Sequence, residues 1–265
     1  MSLERARPTP PLLASLVLRG TLVVLFLPLF ALLVFSLIVR GSEGEINFSL
    51  SWYQAAIEDQ VLWPAVLRSL LVATVSSAAS SMLGLFAALM LGKWKIRGQA
   101  VLTLVSSLSL TLPELVLALS LLSWFALIGM QLSLVTVIIA HITMTLPFST
   151  LVVSARLRAL EDQFDDAARD LGATETQIFT RVLFPLLRPA LLNSFLLCFL
   201  LSFDDFLITF FNSGAGSDTL PVTLYASMKS GLSPKLHALS VMILCISASL
   251  CFALLYLRKP QQLKT

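Results

Sequence analysis

Charge is scarce in this chain: 12% of its 265 residues are Asp, Glu, Lys or Arg, and 57% are hydrophobic. A soluble domain carries about 25% charged residues, so a water-exposed globular fold is excluded. Histidine is scarcer still. His141 and His237 have no acidic or cysteine residues at ligand spacing, which leaves no metal site. Three cysteines, Cys198, Cys245 and Cys251, all fall inside apolar runs. They read as small core residues and carry no information on compartment. There is no Walker A sequence and no glycine-rich loop opening a helix, so the chain is not expected to bind or hydrolyse ATP. No serine has a plausible base partner. Catalytic residues and cofactors are therefore not expected, and the chain does not read as an enzyme. The net charge of +3 is assigned to loops beside a membrane, not to nucleic-acid binding.

What the chain has is apolar length. Six runs of bilayer-spanning size predict an all-α integral membrane protein with six transmembrane helices. They cover 20–39, 69–91, 100–128, 132–155, 189–211 and 236–257. The first is too long for a signal-peptide core and lacks a small-residue cleavage site, so it is expected to remain as an anchor. The second is rich in small residues, including Ser76, Ser77, Ala78, Ala79 and Gly84, which suits close helix packing. The third is interrupted by Pro113. Residues 40–60 read as a polar outer segment in which Trp52 and Tyr53, with Trp63 beyond it, are interfacial aromatics. Residues 212–235 read as a second outer loop. With the N-terminus inside, Arg40, Arg68, Lys229 and Lys235 fall outside and the remaining fourteen of the eighteen Lys and Arg inside. That asymmetry puts both termini in the cytoplasm. The expected organisation is a cytoplasmic segment 1–19, one transmembrane domain 20–257, and a cytoplasmic tail 258–265.

One long polar stretch stands out, EDQFDDAARDLGATETQIFTRVLFP at 161–185. Leu157, Leu160, Phe164, Ala167, Ala168 and Leu171 recur at three- and four-residue intervals and share one helix face. Acidic residues crowd its early turns and Arg169 comes late, the order the helix dipole favours. Gly172 is placed to close that helix at positive φ. Thr174 with Gln177 then forms a capping box that starts a second helix. Its apolar face continues through Ile178, Val182 and Leu186 until Pro185 and Pro189 are expected to break it.

Asp166-Ala167-Ala168-x-x-x-Gly172, nine residues, then Val182-Leu-Phe184-Pro185 resembles the EAA loop of ABC importer permeases, usually EAAxxxG-x9-IxLP. The departures are Asp for Glu, Val for Ile and Phe for Leu. The resemblance implies that 157–188 is a cytoplasmic coupling element, and that Asp166, Ala167, Ala168, Gly172, Val182, Phe184 and Pro185 meet an ATPase subunit.

Three acidic residues lie inside spans: Glu114, Asp204 and Asp205. An acidic side chain at mid-bilayer costs about 2.5–3.5 kcal/mol on insertion scales, so it faces a cavity or a partner. Glu114 lies fourteen residues past Ala100 and Asp204 fifteen past Pro189. At 1.5 Å per residue each stands roughly 21–22 Å up a core of about 30 Å. All three carboxylates are thus expected at one height, and the ~100° step between Asp204 and Asp205 lets at most one point squarely into a shared cavity. No Lys or Arg in a span is available to neutralise them, which makes them candidates for a substrate pathway. His141 is read as a helix–helix hydrogen-bonding residue.

Trp52-Tyr53, Ser202-Phe-Asp204-Asp205-Phe206, Ser213-Gly-Ala-Gly216, Thr219-Leu-Pro221 and Gly231-Leu-Ser-Pro234 resemble spermidine/putrescine permeases, most closely from Leu146 onward. At Leu37-Ile-Val-Arg40 the chain departs from the Phe-Asn-Ser turn common in that family. The resemblance implies one half of a heterodimeric channel in a bacterial inner membrane. It also implies a second permease, two ATPase copies and an extracytoplasmic polyamine-binding protein. Related permeases for ferric ion, thiamine or phosphonate are the alternative within that class. A self-sufficient secondary transporter is a further alternative, but it has no reason to carry the EAA-like loop. A membrane-embedded enzyme would lack any His, Cys or metal cluster beside its carboxylates.

Overall fold

The structure is a computed structural model that describes residues 12–40, 45–92, 99–160, 168, 170–229 and 234–257. The described residues are mostly helical and separate into two compact units, one of 1–60 with 227–265 and one of 61–226. Among the described residues, four helices are long and apolar enough to cross a membrane: Ala14–Leu37, Leu62–Gly92, Leu134–Ala159 and Glu175–Phe203. Two shorter apolar helices, Glu114–Leu127 and Pro234–Cys245, accompany them. The chain is a multi-pass membrane protein.

The first unit begins with α1 (Leu12–Leu37) and a hairpin of β1 (Ile38–Arg40) and β2 (Ile46–Phe48), antiparallel with Val39 opposite Asn47. Then comes α2 (Ser51–Ile57), and α11 (Pro234–Leu257) closes the unit. The described part of the polar segment expected at 40–60 thus carries the β1–β2 hairpin and α2. Trp52 and Tyr53 are half-buried and tie α2 back onto β1 and α1. The Trp52 indole N–H donates to the Ile38 carbonyl at 3.0 Å, and the Tyr53 hydroxyl meets Ser36 Oγ at 2.7 Å. Lys235 pairs with Asp59.

The second unit is a packed trio: α3 (Leu62–Gly92), α6 (Leu134–Ala159) and α8 (Phe184–Phe203). Small residues make it possible. Ala73, Ser76, Ser77, Ser80, Ser81, Gly84 and Ala88 of α3 are buried, as are Thr145 and Ser149 of α6 and Ser194 and Cys198 of α8. With no hydrophobic drive between helices in lipid, close backbone approach and interhelical hydrogen bonds provide the attraction. Ser80 meets Thr145 at 2.7 Å, and Ser194 donates to Ser149 at 2.7 Å. Bonds of this kind contribute on average about 0.6 kcal/mol each. The expectation of a small-residue packing helix thus holds, and it begins at Leu62, seven residues before the expected start. Cys198 is buried and donates to the Thr145 carbonyl, whereas Cys245 is exposed, contrary to the core role expected for it.

Two of the expected spans are broken. The third is α4 (Gln99–Thr111) and α5 (Glu114–Leu127), parted at Pro113, where proline removes a donor and disfavours helix in the residue before it. The fifth, expected to be continuous, stops at Phe203 and restarts as α9 (Leu207–Asn212). Beyond it, α10 (Leu220–Lys229) occupies much of the stretch expected to be loop.

The second helix of the polar stretch also differs. It does not end at Pro185 or Pro189. After α7 (Glu175–Gln177) the chain makes a π-helical turn over Ile178–Leu183 and runs on into α8. In an α-helix the Pro185 ring would clash with the carbonyl four residues back. The wider π turn, with Phe184 N–H reaching the Phe179 carbonyl, opens room for it. The extra residue shifts the buried face, so Ile178, Leu183 and Leu187 are buried in place of Val182 and Leu186. Leu183 and Leu187 pack with Leu85, Ala88, Leu89 and Val153.

Candidate functional site

Both helix breaks open onto one cavity of about 560 Å³. Glu114, Asp204 and Asp205 all line it, among apolar residues that include Leu117, Met144, Phe148, Leu201 and Phe206. No Lys or Arg is among its lining residues. Glu114 is the first residue of α5, directly after Pro113. Its carboxyl lies beside that of Asp205.

Asp204 is exposed, whereas the Asp205 side chain is only 1% exposed. Both line the cavity, but the difference between them is not the 100° step around a helix that was expected. The chain is not helical at 205 and 206, and Asp205 instead folds back as the cap of α9. Its Oδ1 accepts from the Ile208 N–H at 3.2 Å and its Oδ2 from the Thr209 N–H at 2.9 Å. These are orphan donors of the first turn, which a carboxylate satisfies well. The Thr209 hydroxyl adds a third bond at 3.1 Å.

His141, fully buried on α6, joins this cap. Its Nε2 lies 3.2 Å from Asp205 Oδ2 and 2.9 Å from Thr209 Oγ1, and its Nδ1 lies 2.6 Å from Ser202 Oγ. Ser202 in turn meets Ser76 of α3 at 3.0 Å. His141 is thus the helix-bridging residue expected, but the bridge to Asp205 was missed. The spacing Asp205-x-x-Ile208-Thr209 carried a signal, since an acidic residue three and four positions before free N–H groups reads as a cap. Asn212 closes α9, donating to the Ala118 and Ile208 carbonyls at 3.2 and 2.9 Å. Among the described residues no His/Cys/Asp/Glu cluster could hold a metal ion.

The other sequence-predicted residues gather at the polar stretch, of which Asp166 and Ala167 lie outside the described residues. Ala168 is helical, and the Ala173 N–H reaches back to its carbonyl at 3.0 Å across Gly172, whose φ is +76°. That is a Schellman closure, as expected for a glycine at this position. The capping box forms: the Thr174 N–H donates to Gln177 Oε1 at 2.9 Å and the Gln177 N–H to Thr174 Oγ1 at 3.4 Å. Leu171 does not share a buried face with Leu157 and Leu160; it is 88% exposed. Val182 and Phe184 are half-buried and Pro185 is exposed. The Phe184 ring sits 6.1 Å from Phe179 and 5.4 Å from the Arg188 guanidinium.

Residues 80–259 match the family described as binding-protein-dependent transport system inner membrane component. The chain is 32% identical over 232 residues to the spermidine/putrescine transport system permease protein PotC of Escherichia coli K12, spanning 86% of this chain and 87% of that one. It is 33% identical over 205 residues to the putrescine transport system permease protein PotI of the same organism, spanning 75% and 73%. Among solved structures, a bacterial ABC transporter involved in the import of the acidic polysaccharide alginate matches 96% of this chain and all of its own, with TM-score 0.71 at 14% identity. The inward-facing MetNI methionine ABC transporter matches 73% of this chain and 92% of its own, with TM-score 0.62 at 19% identity. At these identities the two structures speak for the fold alone.

Proposed function

Because the chain belongs to the family of binding-protein-dependent transport system inner membrane components, we propose that it is the permease subunit of an ABC importer for polyamines, with putrescine and spermidine as substrates. It forms half of the pathway and a second permease the other half. Two copies of a separate ATPase subunit supply the energy, and an extracytoplasmic binding protein delivers the polyamine. The subunit crosses a bacterial inner membrane six times with both termini inside, its third and fifth spans being the broken pairs α4–α5 and α8–α9. The polar loop, with Asp166, Ala167, Ala168, Gly172, Val182, Phe184 and Pro185, docks on the ATPase.

The observation that carries the substrate reading is the single cavity lined by Glu114, Asp204 and Asp205 and by no basic residue. A polyamine brings two or more ammonium groups, each costly to strip of water in a low-dielectric path. Fixed carboxylates replace part of that hydration, and apolar walls keep the binding weak enough for release. Broken helices meeting at a site within the membrane are a recurring way to build such a pathway.

The test is reconstitution of the chain with its partner permease, ATPase and binding protein in proteoliposomes, followed by uptake of radiolabelled spermidine and putrescine. ATP-dependent uptake of either, abolished without the ATPase, is expected. Uptake that persists without ATPase would overturn the importer reading, and ATP-driven uptake of an anion or neutral solute in place of polyamines would overturn the substrate.

A further inference from the structure

Asp204 and Asp205 adjoin in the chain and differ completely in surroundings. Both oxygens of Asp205 are engaged by the N–H groups of Ile208 and Thr209, the Thr209 hydroxyl and His141. In a continuous helix those two N–H groups would bond to the carbonyls of Asp204 and Asp205, four residues back. The Asp205 carboxylate therefore substitutes for the two backbone bonds that the break removes. It cannot turn to a cation in the cavity without uncapping α9. Asp204 lines the same cavity, is exposed, and no described residue hydrogen-bonds or pairs with its carboxylate.

His141 holds the break from both sides. Its Nδ1 contacts Ser202 in the last turn of α8, and its Nε2 contacts Thr209 in the first turns of α9. Ser76 steadies Ser202 from α3. Without this clamp the three residues of the break could wind into a helix joining α8 to α9, and Asp204 would rotate away from its present aim.

We propose that Asp205 and His141 are positioning residues that pin the break between α8 and α9, and that Asp204, together with Glu114, is the carboxylate that meets the substrate's ammonium groups. This assignment rests on the polyamine-permease reading for its ligand, but not for its geometry.

The geometry is tested by thiol accessibility in the reconstituted complex. Asp204→Cys should react readily with a cationic methanethiosulfonate, and Asp205→Cys should be protected. Adding His141→Ala should slow labelling at 204 or expose 205. Equal labelling of both positions, unaffected by His141→Ala, would overturn the clamp whatever the substrate is. The ligand role is tested by spermidine uptake against stimulated ATP hydrolysis. Asp204→Asn should lower uptake at least about tenfold, the loss of one charge-assisted contact, with hydrolysis retained. His141→Ala should lower uptake similarly, and the double variant should show no further loss. His141→Gln, which can still donate to Thr209 or Asp205, should restore part of the rate. A double variant showing the product of the single losses, or wild-type uptake by Asp204→Asn, would sink the assignment. Absence of polyamine uptake by the unaltered complex would instead count against the substrate reading.

Discussion

Gly84 of α3 and Ser149 of α6 lie so close that a Cβ built on Gly84 would stand 2.1 Å from the Ser149 hydroxyl oxygen and 2.7 Å from its Cβ. The hydroxyl cannot swing aside freely, because it accepts a bond from Ser194 of α8. Position 84 therefore sets the spacing of the three packed helices. Forcing extra atoms into such a contact costs about 1–3 kcal/mol. Gly84→Ala should lower the thermal midpoint of the purified protein, and Gly84→Leu should reduce its recovery from membranes. A Gly84→Leu variant that melts like the parent would refute this contact.

Gly172 presents the opposite case. A Cβ there would meet nothing within 4 Å, so space is not the constraint. The φ of +76° is, and most side chains pay about 1–2 kcal/mol to adopt it. Gly172→Asn should be mild, since asparagine tolerates that region, while Gly172→Val should reopen the turn. The Val variant should reach the membrane in normal amount, yet bind less ATPase or hydrolyse ATP without transport. Normal uptake by Gly172→Val would remove the turn from the coupling mechanism.

The proposed topology of six spans with both ends inside would put Ser217 and Glu45 on one face of the membrane and Glu175 on the other. In intact cells or right-side-out vesicles, an impermeant maleimide should modify single cysteines at the first two positions. A cysteine at 175 should react after permeabilisation alone. Reaction at 175 from outside would invert the topology.

Features confined to a few neighbouring residues were legible before any coordinates. The Gly172 turn and the Thr174–Gln177 box form as read, since each needs only a short run of neighbouring residues. Pro113 interrupts its helix for the same local reason. The π turn was not legible. Pro185 and Pro189 read locally as breakers, and only packing of Leu183 and Leu187 against α3 and α6 keeps the helix going past them. The role of Asp205 was hidden in the same way: its partner His141 is 64 positions earlier in the sequence.

Composition and apolar run length alone determined that this is a membrane protein, because backbone polar groups in lipid leave few choices beyond helices. Charge placement alone identified three carboxylates with no basic partner in the spans. Which of the three stands open was decided by tertiary structure. Two consecutive aspartates are chemically identical in the sequence. One becomes a helix cap and the other a free carboxylate only when α6 delivers His141, and α9 its N–H groups, to the same side of the break.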